Sequence, residues 1–376
     1  MNALVEQAQA FIPTLQQKAG ETERQGKVSP EIVSALRDKG LLNLLSPARH
    51  GGGETDFTTA FQVAATLARG CMSTGWVATV GNVHNWMATG LTQECQTAYF
   101  ADENVFSSAS FAPTGTAKMT ADGFVANGTW GFLSGVDHAQ WAFVTAIVSE
   151  SIDGRNPGPW FLMVPVADIK VHDDSWHVTG MAGTGSKSVT LADTFVPLER
   201  AVELAEFMAG RGPGVGSHEG NLYGAPFRPV LVAVLAAPIL GAAQAAVEHF
   251  TEYTRKRVVK MTGGQQAQDA MSQATVAEVS ATVHAAQLIL QAIFNRLDDP
   301  APLSPEEQAQ IPRDTSYAVK LLVEAVNKII ANAGGTAAQL DNPLQRIWRD
   351  VQVASNHAAV NFSTNMQSWG ASVLTK

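Results

Sequence analysis

Cysteine is nearly absent: among 376 residues there are two, Cys71 and Cys95, and they form no CxxC pair. This excludes a disulfide framework and points to a reducing cytoplasm as the compartment. Cationic charge is also scarce. Lys and Arg number 25 against 34 Asp and Glu, and the net charge of −9 excludes nucleic acid or an anionic membrane as the main partner. Charged residues of all kinds make up only 16%, which suits a chain that hides part of its surface against copies of itself. The histidines show no HxxxH or HExxH spacing and do not pair with the cysteines, so no metal site is expected. There is no GxxxxGK[ST], and no GxGxxG follows a strand pattern. The Gly51-Gly52-Gly53 triplet therefore reads as a plain loop, and a doubly wound dinucleotide fold is excluded. The N-terminus has neither a basic nor an apolar leader segment, so no signal peptide is expected. The most apolar run, 230–246, falls short of the about 20 residues a membrane span needs. It is interrupted by Pro238, Gly241 and Gln244 and reads as a buried helix.

What is present falls into three regions. Residues 1–105 carry apolar residues at helical spacing over Ala3–Gly20, from Ser29-Pro30-Glu31 to Lys39-Gly40, and over Asp56–Arg69 and Ser73–Thr89. Residues 106–205 switch to short apolar or alternating runs bounded by Gly, Pro, Asp and Asn, which predicts a compact β-barrel. Its strands are expected at Val105–Ser110, Thr116–Thr120, Gly123–Thr129, Trp141–Val148, Trp160–Pro165, Val171–Val178 and Ser188–Val196. Residues 206–228, with Arg211-Gly212-Pro213-Gly214, read as a connecting loop. Residues 229–376 return to helices: Val230–Val259, Asp269–Asp298, Ser316–Gly334 and Pro343–Val373, with a Pro/Glu/Gln-rich connection at 299–313. Four long amphipathic helices predict a bundle. The fold class is α+β: an N-terminal helical domain, a central β-barrel and a C-terminal four-helix bundle.

The densest chemistry lies between two expected strands, in Trp130-Gly131-Phe132-Leu133-Ser134-Gly135-Val136-Asp137-His138-Ala139-Gln140-Trp141. Aromatic rings give flat walls, and Ser134 sets a hydroxyl between them, which suits a flat heteroaromatic ring such as a flavin. A hairpin with aromatic core residues and a polar turn accounts for the same residues. The local sequence leaves both readings open.

The order of regions resembles the acyl-CoA dehydrogenase superfamily over nearly the whole chain. Three patterns carry the resemblance: Leu191-Ala192-Asp193-Thr194-Phe195-Val196-Pro197 at a strand exit, Tyr253–Arg257 on a helix, and Gly334-Gly335 followed by Pro343 and Arg346-Ile347-Trp348-Arg349-Asp350. The departures are equally informative. The family's catalytic glutamate, where it lies eight residues after the arginine-aspartate pair, is replaced by Ala358, and 351–365 contains no acid. With His357 beside that position, and Arg69-Gly70-Cys71-Met72-Ser73-Thr74-Gly75-Trp76 followed by His84, the chain resembles the oxygenase components of two-component flavin-dependent monooxygenases. These include the 4-hydroxyphenylacetate, steroid-phenol, dibenzothiophene and indole oxygenases.

That resemblance implies a reaction and a set of roles. Reduced flavin, FADH2 or FMNH2, comes from a separate NAD(P)H:flavin reductase. It reacts with O2 to a C4a-hydroperoxide, which hydroxylates or epoxidises a small phenol- or indole-like substrate. Ser134 is expected near flavin N5, with Trp130, Phe132 and Trp141 as walls that keep water out. His84 is expected to bind or deprotonate the substrate, and His357 to assist oxygen chemistry or substrate activation. Ser108 and Ser186 are expected at the flavin. Arg257 is expected at its phosphate, across a subunit boundary of a homotetramer, with Gly334 and Gly335 close by. Taken alone, each residue has a plainer reading: a turn serine bonded to its own backbone, a core histidine, surface cations in Arg255-Lys256-Arg257. An acyl-CoA dehydrogenase-like FAD enzyme is the alternative function, and a silent oligomerising scaffold a third.

Overall fold

Asn2 caps the first helix by accepting the Leu4 N–H, and Gly26 in the left-handed region ends it, so α1 runs Ala3–Gln25. Ser29 and Pro30 start α2 (Pro30–Asp38) as cap and first helical residue. Asp56 caps α3 (Phe57–Gly70). Extended Cys71 separates α3 from α4 (Met72–Ala88), which is buried on every face. The corner is tight: a side chain at Gly75 would stand 2.6 Å from the Ala68 Cβ. A short α5 (Gln93–Tyr99) follows. The structure, a computed structural model, describes residues 2–220, 222–258 and 263–375.

Seven strands follow: β1 Ser107–Met119, β2 Gly123–Leu133, β3 Trp141–Val148, β4 Gly158–Pro165, β5 Lys170–His172, β6 Lys187–Pro197 and β7 Ala201–Glu203. They hydrogen-bond in the order β5-β6-β2-β1-β3-β4-β7. β1 pairs parallel to β3 with Ser108 opposite Ala142, and the register shifts between Ser110 and Gly115. The sheet wraps its own core of Phe124, Trp130, Val144, Leu162 and Val189. Two expected strands are one, because the shift lets β1 continue through Pro113. The strand expected at Val171–Val178 stops at His172, where Asp173-Asp174-Ser175 turns the chain.

Leu204–Met208, running from the end of the expected barrel into the expected loop, forms α6. Then come α7 (Phe227–Lys256) and α8 (Ala270–Leu297). Val259, the expected end of α7, lies outside the described residues. α9 (Pro305–Ala333) begins eleven residues before the expected Ser316, because Ser304 and Glu307 form a reciprocal capping box and Pro305 fits the first turn. The last expected helix is two: α10 (Pro343–Ser355) and α11 (Phe362–Leu374). The chain breaks at extended His357, passes through a 3-10 turn at Ala358–Val360 and restarts under an Asn361 cap. α7 packs on α3, α4, α8, α9 and α10, so the apolar 230–246 run is the core of the bundle.

Candidate active site

β2 ends at Leu133 and the chain kinks at once. Phe132 (φ 66°) and Gly135 (φ 72°) flank half-exposed Ser134 in the left-handed region. The Phe132 conformation is a strained one for a bulky residue, of the kind that collects at functional sites. Ser134 Oγ accepts the Trp76 indole N–H from α4 at 3.2 Å and bonds Ser186 Oγ at 2.8 Å. Ser186 Oγ bonds Thr184 Oγ1 at 2.7 Å, and Thr184 donates to the Met181 carbonyl at 2.7 Å. The Gly135 N–H donates to Thr184 O at 2.8 Å, tying the two turns together.

The 181–186 turn is held by α10. Asp350 accepts the Met181 N–H at 2.6 Å, and Arg349 donates to Thr179 O and pairs with Glu23 of α1. A side chain at Gly180 would stand 2.2 Å from the Arg349 carbonyl oxygen, so the turn lies directly on the helix backbone. Burial pushes the Asp350 carboxyl up to about 6, against the lowering effect of the Met181 N–H. A cavity of about 170 Å³ opens beside it, lined by Cys71, Ser73, Gly183, His249 and Arg346. On the other side of the turn, Lys187 bonds Asp137 and Asp173; burial works against its charge, and these bonds outweigh it and raise its pKa.

Two histidines come from the elements that meet here, α4 and the end of α10. His84 on α4 places Nδ1 2.8 Å from the Ser107 carbonyl. A carbonyl only accepts, so Nδ1 carries the proton. Burial pushes the His84 pKa down to about 4, so the ring is neutral at pH 7 and Nε2 presents a lone pair. Phe143 stands edge-on to it at 6.5 Å. His357 sits at the break after α10, with its ring 5.7 Å from Trp76. Its Nδ1 accepts the Ala359 N–H at 3.2 Å, which leaves the neutral ring's proton on Nε2. The residue is exposed, and desolvation by the surrounding protein lowers its pKa. The two rings thus offer opposite functions, an acceptor from His84 and a donor from His357.

After α7, Arg257 donates from Nη1 to Ala333 O at 2.8 Å and lies over the Tyr253 ring at 5.4 Å. It packs on Gly334, where φ is 75° and a Cβ would stand 2.8 Å from Nη2. Gly335 opens the 3-10 turn that follows. The guanidinium faces an open cleft of about 690 Å³ lined by His249, Tyr253, Thr336 and Pro343. That cleft shares His249 and Pro343 with the cavity beside Asp350.

Two expectations are corrected. Trp130 is no wall of the site: it is 0% exposed in the barrel core and donates to Thr145 O at 2.7 Å, because the β2 alternation turns it inward. Trp141 lies under the Arg200 guanidinium. Ser108 is fully buried and gives its proton to Ser134 O at 2.7 Å, so it braces the Ser134 turn from behind. Phe132 stays open, 74% exposed, with Trp176 edge-on at 5.7 Å. Ser186 is buried and reaches the site through Ser134. Trp76, Thr184 and Asp350 were given no role by the sequence. For Trp76 the signal was there, on the i, i+4, i+8 row of α4 that ends at His84.

No carboxylate occupies the place of the dehydrogenase base. Ala358 opens the 3-10 turn, and the nearest acid in sequence, Asp350, is buried and bound to Met181. Among the described residues no group of His, Cys, Asp and Glu is arranged to hold a metal ion.

Comparison with known proteins agrees with this geometry. Residues 2–101 match the acyl-CoA dehydrogenase N-terminal domain and residues 233–362 the acyl-CoA dehydrogenase C-terminal domain. The chain is 32% identical over 358 residues to a flavin-dependent monooxygenase oxygenase subunit of Rhodococcus jostii, covering 93% of this chain and 92% of that one. It is 32% identical over 371 residues to the oxygenase component of an FADH2-dependent resorcinol hydroxylase of Rhizobium sp., covering 95% and 90%. Among solved structures, XiaF from Streptomyces sp., in complex with FADH2 and glycerol, superposes with a TM-score of 0.92 at 29% identity, covering 99% and 95%. The chain belongs to the flavin-dependent monooxygenases, as an oxygenase component built on the acyl-CoA dehydrogenase fold.

Proposed function

We propose that this oxygenase hydroxylates a small neutral phenol- or indole-like ring, and that it works as a homotetramer beside a separate flavin reductase. The carrying observation is the uncharged His84, its Nδ1 proton tied to Ser107 O, together with His357 against Trp76, the ring that bonds Ser134. A lone pair on His84 Nε2, offered from an apolar wall, suits the O–H of a phenol or the N–H of an indole. It gives nothing to a carboxylate. A ring with a pKa of about 4 stays uncharged across the working pH range.

The residues present fit a flavin. Ser134 offers a hydroxyl at an open turn, Phe132 an exposed flat ring, and Arg257 a guanidinium already oriented by Ala333 O and Tyr253. Planar guanidinium donors match phosphate oxygens. Bound reduced flavin supplies the electrons that activate O2. The protein's part is to orient the ring at Ser134, hold the substrate proton at His84 Nε2, donate from His357 Nε2 and keep water out.

The tetramer is argued from α8. Its outward residues Ala274, Ala277, Ala281, Ala285, Leu288 and Ala292 are exposed and apolar over the length of the helix. Such a face is characteristic of an interface, and we assign it to a second copy of this chain, with Arg257 serving the partner's flavin. The resorcinol hydroxylase relative is named as FADH2-dependent; the Arg257 cleft has room for either flavin's phosphate.

The test is product formation. Enzyme, anaerobically reduced FMN or FAD, and oxygen are mixed with phenols, indoles and their O- or N-methyl derivatives, and products are identified by mass spectrometry. The methylated substrates are expected to release hydrogen peroxide without product. Equal turnover of free and methylated rings would overturn the role of His84.

A further inference from the structure

The hydroxyls around Ser134 form a chain whose direction is set at both ends. The Trp76 indole only donates, and the Met181 carbonyl only accepts. Thr184 gives its one proton to Met181 O. The Thr184–Ser186 bond must therefore be donated by Ser186, and the Ser186–Ser134 bond by Ser134. Ser134 Oγ also receives the Trp76 N–H. It has thus committed its proton and one lone pair, and it keeps one lone pair at a half-exposed turn.

We propose that Thr184 and Ser186 make the site selective for reduced over oxidised flavin by holding Ser134 as an acceptor. The N5 of a reduced flavin carries a hydrogen and can donate to that lone pair. The N5 of an oxidised flavin has only a lone pair and meets another. Turning Ser134 into a donor would cost its bond to Ser186, and Ser186 and Thr184 are both buried. The anchor is itself fixed. Met181 is held at φ 61°, its N–H is taken by Asp350, and its carbonyl also receives the Trp176 N–H at 3.3 Å. This inference rests on the reading of Ser134 as the residue facing N5.

The test is binding, not turnover. Dissociation constants for oxidised FMN and FAD, and for the dithionite-reduced forms under anaerobic conditions, are measured by fluorescence titration. The parent protein is expected to bind the reduced form more tightly. Ser186→Ala, which frees the Ser134 proton, is expected to narrow the oxidised-to-reduced ratio by about tenfold, the scale of one buried hydrogen bond. Ser186→Thr is expected to restore it. The near-isosteric Thr184→Val is expected to narrow it too, which keeps the test open if Ser186→Ala folds poorly. An unchanged ratio in both variants, or a parent that binds the two forms equally, would overturn the proposal. A parent that binds neither form would overturn the flavin site itself.

Discussion

His84 and His357 show how one residue type serves two purposes through its backbone setting. A carbonyl at Nδ1 fixes His84 as an acceptor, and an N–H at Nδ1 fixes His357 as a donor. His84→Phe is expected to leave reduced-flavin affinity within about twofold, because a buried ring is replaced by a ring. Product formation is expected to fall by on the order of 100-fold, as for loss of a positioned acid or base, with hydrogen peroxide rising in its place; peroxide and product assayed together check this. Trp130 makes a contrast. Its replacement by Ala is expected to cost about 3–5 kcal/mol of stability with no selective effect on flavin binding in the folded fraction, and a denaturant titration beside a flavin titration separates the two. Ser134, Ser186, His84 and His357 were legible as candidates through the family resemblance; each alone reads equally well as a turn serine or a core histidine. Trp130 was misread because alternation along a strand says which residues share a face but not which face is the core. Thr184 was missed because a hydroxyl that acts by holding another hydroxyl leaves no mark in its own sequence neighbourhood.

The element that organises the site is α10. Asp350 grips the turn carrying Ser186, and His357 stands where the same helix ends, so one rigid rod sets the hydroxyl chain against the imidazole. Asp350→Ala is expected to weaken reduced-flavin binding, while Asp350→Asn, which keeps an acceptor for the Met181 N–H, is expected to hold it. The pair also makes a pH prediction. Burial raises the Asp350 pKa from 3.8 to about 6, so the folded chain holds this proton more tightly than the unfolded one. The stability it contributes is full below about 3.8 and is lost as pH rises through about 6. A shift of that size corresponds to roughly 3 kcal/mol. The charge of Glu23 raises this pKa and those of Arg346 and Arg349 lower it, while Cys71 and His249 line the same cavity. Urea titrations from pH 4 to pH 7.5 are therefore expected to show Asp350→Asn gaining on the parent as pH rises; a constant difference would count against the buried charge. At this scale the order of helices and strands was legible from periodicity and turn residues. The break at His357 was not, because no Pro or Gly marks the interruption in 351–365 and the capping Asn361 is the one local signal. The early start of α9 was available in Ser304-Pro305-Glu306-Glu307, a capping box hidden by its proline-rich surroundings.

For the whole molecule, the question is whether one chain makes one site. Arg257 packs on Gly334 after α9, Ser134 follows β2, and α8 carries an exposed apolar face. Ala281→Glu with Leu288→Glu is expected to lower the mass seen by light scattering and to weaken flavin binding together, without lowering helix content. Co-expression of two single variants then decides whether the site is shared. Suppose one subunit carries Ser134→Ala and the other Arg257→Ala. If each site is built within a chain, every site in the mixed assembly carries one defect, and tight reduced-flavin binding is absent. If Arg257 serves a neighbour, random pairing gives about a quarter of sites an intact Ser134 from one chain and an intact Arg257 from the other. Titration of the mixed assembly is expected to show this tight fraction. Its absence from an assembly shown to contain both subunits would place Arg257 in its own chain's site and leave α8 as a purely structural contact.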